Sequence, residues 1–318
     1  MLLKSYLMIY NPLSIVIPVK NREKLILRAL DSAYNQSYRP IRLIVVDNNS
    51  SDGTLSAVHK WKDTHESEDF SVKIVSETRA GAAAARNRGL LEVDTDYMLF
   101  FDSDDVMLPE LAITVMEAFD RDKKLDMIYW RTAYINEKEE VIPKRFAKFD
   151  LIKRHIYNCV LPTQAYAIRT SFIKRIGAWN SQLPCWNDWE LGLRILLNEP
   201  KIKGIFRVLV HIYPQMDSIT GTDFHSKAGE WEKSIAAMEK DALLVENPLR
   251  KRVLDMLTYR KVILAAKYTA EGYREIGEKL KEETLENADL PKWRKNLLKL
   301  IYSYTVNGGR AAYLFWNV

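Results

Sequence analysis

The 318 residues, 47% hydrophobic and 28% charged, suffice for one large core or two modest ones, and this composition excludes a disordered chain. A net charge of +5, from 47 basic and 42 acidic residues spread along the sequence, carries no nucleic-acid footprint. Two cysteines, Cys159 and Cys185, allow at most one pairing and no CxxC spacing, which excludes a disulfide framework or structural zinc site and fits a reducing cytoplasm.

The uncharged run from Ser5 to Val19 is interrupted by Asn11, Pro12 and Pro18 and leads to no small-residue cleavage site. It also falls short of the roughly 18 apolar residues of a spanning helix, so neither a signal peptide nor a transmembrane segment is expected. From residue 13 the chain alternates. LSIVIPV (13–19), IRLIVVDN (41–48), SVKIVSE (71–77) and YMLFF (97–101) read as strands. Between them, EKLILRALDSAYNQ, SDGTLSAVHKWKD and GAAAARNRGLLEV read as helices, the second opened by a capping signal. Such alternation predicts a mainly parallel central sheet flanked by helices. A helix over LPELAITVMEAF (108–119) is followed by a hairpin in DMIYWRTAYINEKEEVIPK that turns near Asn136 to Lys138. Short mixed signals lead to an amphipathic helix in CWNDWELGLRILLNE (185–199), and from Phe224 the pattern is helical, broken at Pro291.

Ligands of open parallel sheets collect at the carboxyl ends of the strands. Four polar clusters stand there: KNR (20–22), DNNSSDGT (47–54), ETRAG (77–81) and DSDD (102–105). In the last, Asp102, Asp104 and Asp105 crowd like charges on what reads as an exposed turn, an arrangement that a hard divalent cation relieves. Asp47 offers acceptor oxygens to the N–H of a base, Gly81 allows close backbone approach, and Arg79 and Arg86, about two helical turns apart, suit phosphate contact. Arg88 reads as a surface ion-pair partner.

These residues, in this order, resemble a known family. SIVIPVKNR, LIVVDNNSSDGT, RAGAAAARNRG and YMLFFDSDD are similar to the donor-binding half of the inverting glycosyltransferases of family 2, which have the GT-A fold. The likeness is specific over residues 13–110, looser to about 220 and absent beyond. It implies a nucleotide-sugar-binding half (1–110), an acceptor-binding half with the catalytic base (111–223) and a helical C-terminal region (224–318). It further implies that Pro18, Val19, Asn21 and Asp47 hold base and ribose, and that Arg79, Gly81 and Arg86 lie near base or phosphates. Asp102 and Ser103 would contact ribose or donor sugar. Asp104, with Asp102, would bind Mn²⁺ or Mg²⁺, and Asp105 would support them from behind. The family's base is the Asp of a Glu-Asp pair opening a helix. Asp188 stands at that place, with Asn187 where Glu is usual, and Glu190 is the alternative.

Trp186 and Trp189 flank Asp188 and offer flat faces to an acceptor sugar or, equally, an anchor to the core. His211 is a candidate phosphate or metal neighbour, more often a structural residue, and Pro214 and Met216 stand where relatives often have Arg and His. The resemblance thus implies a UDP-sugar donor and a glycan or lipid-linked acceptor. A scaffold that binds sugar nucleotides without turnover, or a nucleotidyltransferase, is the alternative, although VKNREKL lacks the glycine-rich loop of the latter. Residues 291–318 hold five Lys/Arg, no Asp/Glu and six aromatics. They read as a helix docked on its own protein, as a homodimer contact, or as a peripheral contact with anionic lipid on the inner membrane face.

Overall fold

The computed structural model describes residues 11–144, 146, 148–214, 223–310 and 312–316. The start of the N-terminal run and Met216 therefore lie outside the described residues. In chain order the elements are β1 (Leu13–Val19), α1 (Ile26–Tyr34), β2 (Ile41–Asp47), α2 (Thr54–His65), β3 (Phe70–Ser76), α3 (Ala82–Leu91), β4 (Tyr97–Phe100), β5 (Val106–Met107) and α4 (Leu111–Arg121). Then come β6 (Met127–Ile135), β7 (Val141–Pro143), α5 (Leu151–Asn158), β8 (Tyr166–Arg169), α6 (Thr170–Arg175), α7 (Asn187–Leu197) and β9 (Ile202–Ile212). The chain closes with α8 (Glu230–Ala242), α9 (Leu249–Ala270), α10 (Arg274–Asn287) and α11 (Lys292–Val306).

Two compact units result, each discontinuous in sequence. The first comprises residues 1–146, 161–181 and 200–214, the second 147–160, 182–199 and 215–318. Three consecutive segments, the division expected from sequence, differ from this because β8 and β9 return to the first sheet after the chain has contributed α5 and α7 to the helical unit.

All nine strands among the described residues form one sheet of order β3-β2-β1-β4-β8-β6-β9-β5, with β7 paired to β6. Its first half is parallel, β1 lying between β2 and β4 in register from Leu13 opposite Ile41 and Tyr97. Strands β1, β2 and β4 are buried nearly throughout, which is why they read as continuous apolar runs, whereas β3 at the sheet edge exposes Ser71 and Lys73. Helix α3 covers them with Ala83, Ala84 and Ala85, and Gly89 allows the closest approach: a Cβ there would stand 2.4 Å from Val16 Cγ1 and 2.9 Å from Val46 Cγ2. The second half is mixed. Strands β4 and β8, β8 and β6, and β5 and β9 run antiparallel, whereas β6 and β9 are parallel with two register shifts. The expected hairpin is present as β6 and β7, closed by Asn136 and Glu140.

The second unit is helical. Its core joins Trp189, Leu193 and Leu197 of α7 to Trp231 and Met238 of α8, to Val253, Leu257 and Leu264 of α9, and to Leu298 and Ile301 of α11. His155 of α5 is buried and locked to α7: its Nε2 bonds the Trp189 carbonyl at 2.8 Å, and Trp189 Nε1 donates to the His155 carbonyl at 3.0 Å. Burial pulls its imidazole down to about 4, so it stays neutral at neutral pH. The C-terminal tail is fixed by Trp316, which is fully buried, stacks on Tyr259 and lies 4.3 Å from the Arg294 guanidinium. Helix α11 and Trp316 thus dock into their own unit. Cys159 and Cys185 are both free thiols.

Candidate active site

Three loops at the carboxyl ends of β1, β2 and β3 are tied together by asparagines. After β1, Asn21 takes a left-handed conformation (φ 50°), donates its N–H to Ser50 Oγ at 3.0 Å and accepts from Ser51 N at 2.8 Å. Asn is among the residues that tolerate this conformation. Next to it Pro18 and Val19 end β1, and the Val19 carbonyl accepts from Asn48 N. Asp47, buried at the end of β2, accepts from Ser50 N of its own turn at 3.2 and 3.3 Å. Asn48 clamps the third loop: its Nδ2 donates to the carbonyls of Glu77 and Arg79, both at 2.8 Å, and its Oδ1 accepts from Gly81 N at 2.9 Å.

Asn48 and Glu77 are not among the residues singled out in the sequence, yet they shape this rim. Glu77 is buried and accepts the Arg79 guanidinium through both oxygens at 3.2 and 2.8 Å, and Arg79 holds its carboxyl down at about 2. Arg79 is consequently turned onto Glu77, with its side chain two-thirds exposed. Gly81 takes φ of +115°, which by itself selects glycine there, and no atom of the described residues beyond its chain neighbours lies within 4 Å of where its Cβ would stand. The signal for Asn48 was the Asn pair directly after a strand; nothing near Glu77 in sequence announces its role.

The fourth cluster is sunk into the sheet instead of standing on an exposed turn. Ser103 is buried and Asp105 is 3% exposed, accepting from Gln164 Nε2 at 2.7 Å and from Tyr213 N at 3.0 Å. Burial, and then the charges of Asp102 and Asp104, push the Asp105 carboxyl up, against those two donors. Asp104 is raised to about 6, by burial first and then by Asp102. Arg28, held over the Tyr213 ring at 3.8 Å, donates to the Asp104 carbonyl. Arg86 reaches from α3 to Asp102, with its Nη2 2.7 Å from Oδ1, and its guanidinium lies 4.4 Å from the Trp179 ring centre. Trp179 is placed by Asn87, which bonds both its carbonyl and its N–H at 2.8 and 3.0 Å. Arg88 pairs with Glu92, as a surface ion pair would. His211 sits on β9 opposite Val106, just past the aspartates, and burial lowers its pKa.

Asp102 and Asp104 offer hard oxygen donors whose mutual repulsion a cation would relieve. No group of three or more His, Cys, Asp or Glu among the described residues is spaced to hold a metal. Magnesium and manganese need only one or two carboxylates when substrate phosphates and water complete the shell, so these residues fit such an ion.

In the helical unit Asp188 lies in the first turn of α7, after Trp186 in a left-handed conformation (φ 51°). Its Oδ1 accepts from Trp189 N at 2.9 Å and its Oδ2 from the Cys159 thiol at 3.8 Å. Two expectations for its neighbours change. Glu190 is 1% exposed, with both oxygens on Arg194 at 2.6 and 3.1 Å, and Asp241, whose carboxyl is raised to about 7 by burial first and then by Glu190, lies on the same arginine. A carboxylate so engaged has no acceptor hydroxyl to serve. Trp189 is 3% exposed in the core, so it anchors the helix and offers no face to a sugar. Trp186 is only partly buried, edge-on to Trp189 and tilted against Trp231 at 4.4 Å.

Known proteins share this plan. An uncharacterized glycosyltransferase of Haemophilus influenzae is 25% identical over 220 residues, covering 68% of this chain and 69% of the relative. An Escherichia coli UDP-Glc:alpha-D-GlcNAc-diphosphoundecaprenol beta-1,3-glucosyltransferase is 27% identical over 213 residues, 66% of this chain and 80% of its own. Among solved structures, S. aureus TarS 1-349 in complex with UDP-GlcNAc superposes with a TM-score of 0.70 at 16% identity, over 95% of this chain and 90% of that one, a likeness of fold. The sequence profile described as Glycosyl transferase family 2 matches residues 14–176, half of the chain and all four strand-end clusters. This chain is a GT-A type glycosyltransferase that belongs to glycosyl transferase family 2.

Proposed function

We propose that the protein is an inverting, metal-dependent transferase that moves a sugar from a UDP-sugar to a hydroxyl of a glycan or lipid-linked oligosaccharide in cell-surface polysaccharide synthesis. The observation that carries this reading is the Arg86–Asp102 pair beside the raised carboxyl of Asp104, at the end of β4 where parallel sheets take their ligands. The UDP-GlcNAc bound to a protein of the same fold and the donor and acceptor in the name of the E. coli relative support the substrate classes.

In this reading Pro18, Val19, Asn21 and Asp47 bind base and ribose, and the loop of Arg79 and Gly81 closes the same rim. Arg86 orients Asp102 toward ribose and sugar, with Ser103 beside it. Asp102 and Asp104 would hold Mn²⁺ or Mg²⁺, which when bound neutralises the departing diphosphate. Asp188 takes the proton of the acceptor hydroxyl on the face opposite the nucleotide, so an α-linked donor gives a β-linked product. Trp186 is left as the acceptor-side aromatic. The test is a panel of UDP-sugars with Mn²⁺ and a sugar-diphosphate-lipid acceptor: free UDP and a β-linked product are expected. Release from other nucleotide sugars alone, or pyrophosphate release from a nucleoside triphosphate, would overturn the assignment.

A lipid-linked acceptor would suit work at the inner membrane face, and the surface of α11 supports this reading. No helix among the described residues is long and apolar enough to cross a membrane. On α11, Trp293, Leu300 and Tyr304, spaced seven and four residues apart, share one face; Trp293 is 66% and Leu300 68% exposed. Phe315 packs against Tyr304 with ring centres 5.9 Å apart and extends this apolar stripe. Exposed or half-exposed Lys292, Lys295 and Lys299 form a second row, three and four residues apart. The full-length protein is expected to sediment with phosphatidylglycerol vesicles and not with phosphatidylcholine ones. Changing the three lysines to Gln should weaken binding roughly a hundredfold, at about 1 kcal/mol per basic residue. Equal affinity of wild type and variant for both vesicles would remove the membrane role. Substitution is preferable to truncation, because Leu298, Ile301 and Trp316 belong to the core.

A further inference from the structure

Arg260 of α9 is a cation that the described structure leaves without a counter-charge. Its guanidinium lies 4.9 Å from the ring centre of Trp189 and 5.9 Å from that of Trp186. Its Nε is sealed from solvent with no hydrogen-bond partner, and no carboxylate among the described residues pairs with it. Burial lowers its pKa, and the ionisable groups that act on it are Tyr259, Cys159 and Tyr157, none of them a carboxylate. Indole faces attract a guanidinium, but they supply no acceptor for its N–H groups. Other half-buried arginines of this unit are matched: Arg194 by Glu190, and Arg294 by Asp255. An isolated desolvated charge is costly unless a ligand completes it.

The surroundings indicate which ligand. Cys159, one of the groups beside Arg260, also donates its thiol to Asp188 Oδ2, and Trp186 and Trp189 bracket Asp188 in sequence. The unpartnered cation and the proposed base therefore share neighbours within one unit. A planar guanidinium with several N–H donors suits a phosphate oxygen pair. Where the acceptor is a single sugar on a diphosphate-lipid, the phosphates lie within one sugar ring of the reacting hydroxyl, so a base for that hydroxyl and a cation for that diphosphate must be close neighbours.

We propose that Arg260 binds the diphosphate joining the acceptor sugar to its lipid, and thereby sets the acceptor hydroxyl at Asp188. This rests on the reading above, in which Asp188 is the base and the acceptor is diphosphate-linked. Arg260 is a binding and positioning residue; it takes no part in proton transfer.

The test pairs two acceptors with the same sugar, one on a short prenyl diphosphate and one on a neutral alkyl chain, using the full-length protein. Arg260→Met should raise KM for the diphosphate acceptor by roughly tenfold or more, the range of a lost charge-assisted hydrogen bond, and leave KM for UDP-sugar and for the neutral acceptor unchanged. Arg260→Lys should recover part of the loss, and it carries the comparison if the Met variant is unstable. An independent readout is calorimetric binding of the prenyl diphosphate alone to protein saturated with UDP, expected to weaken by a similar factor in Arg260→Met. Equal losses with both acceptors would make Arg260 structural, and unchanged KM with unchanged prenyl diphosphate binding would exclude the site. Transfer by the wild type to neither acceptor, with prenyl diphosphate binding still dependent on Arg260, would overturn the acceptor class and leave the anion site standing.

Discussion

Asp188→Asn is expected to lower turnover by about a hundred- to ten-thousand-fold, the usual contribution of a general base, while UDP and the UDP-sugar bind as before. The substitution keeps shape and an acceptor oxygen, so the bond from Trp189 N that orients the side chain survives, and the lost function is the uptake of a proton. No carboxylate in the same turn can replace it. Asn187 is neutral, and Glu190 is buried and held by Arg194. The measurement is kcat from UDP release, alongside calorimetric UDP affinity; unchanged turnover would exclude Asp188 as the base, whatever the fold.

Asp104→Asn should raise the Mn²⁺ concentration for half-maximal activity by more than about a hundredfold, since changes even behind metal ligands cost ten- to a hundredfold. The pH dependence of the wild type gives a second signature. Burial and Asp102 raise the Asp104 carboxyl to about 6, so proton and cation compete for it in an accessible range. Activity at limiting Mn²⁺ should fall as pH drops through about 6, more Mn²⁺ should move that midpoint downward, and the Asn variant should lack the Mn²⁺-dependent inflection. Without cation the sign for stability is opposite. The folded-state pKa lies above the unfolded value, so the folded state binds more protons, and Asp104 destabilises the fold as pH rises from about 4 through 6. In the absence of metal the wild type should lose thermal stability relative to Asp104→Asn across that window, and a difference that does not change with pH would contradict the burial argument.

Arg86 links these results to the fold. Its guanidinium is bound on one side by Asp102 and rests on the Trp179 ring on the other, and Trp179 is itself pinned by Asn87, one residue further along α3. One helix thus positions both Asp102, the carboxylate proposed to meet the donor, and the Trp179 ring on which Arg86 rests. The consequence is rigidity at the end of β4, which the proposed ion between Asp102 and Asp104 would require.

The sequence alone determined the parallel half of the sheet, because each buried strand carries a continuous apolar, β-branched run that local periodicity reports, and because strand ends in such sheets collect polar ligand-binding clusters. It also determined which carboxylates lie at the end of β4 and that an aspartate opens α7. Only the tertiary structure decided the mixed half. Strand β9 carries Lys203 and Arg207 and is buried over little of its length, so no period announces it, and it joins the sheet by pairing with β6 and β5. The same holds for roles set by distant partners: Asn48 meets Gly81 across 33 positions and Trp179 meets Asn87 across 92. Hydrogen bonds and ion pairs between residues far apart in the chain are fixed by packing geometry, and that geometry exists only after the sheet and helices have come together.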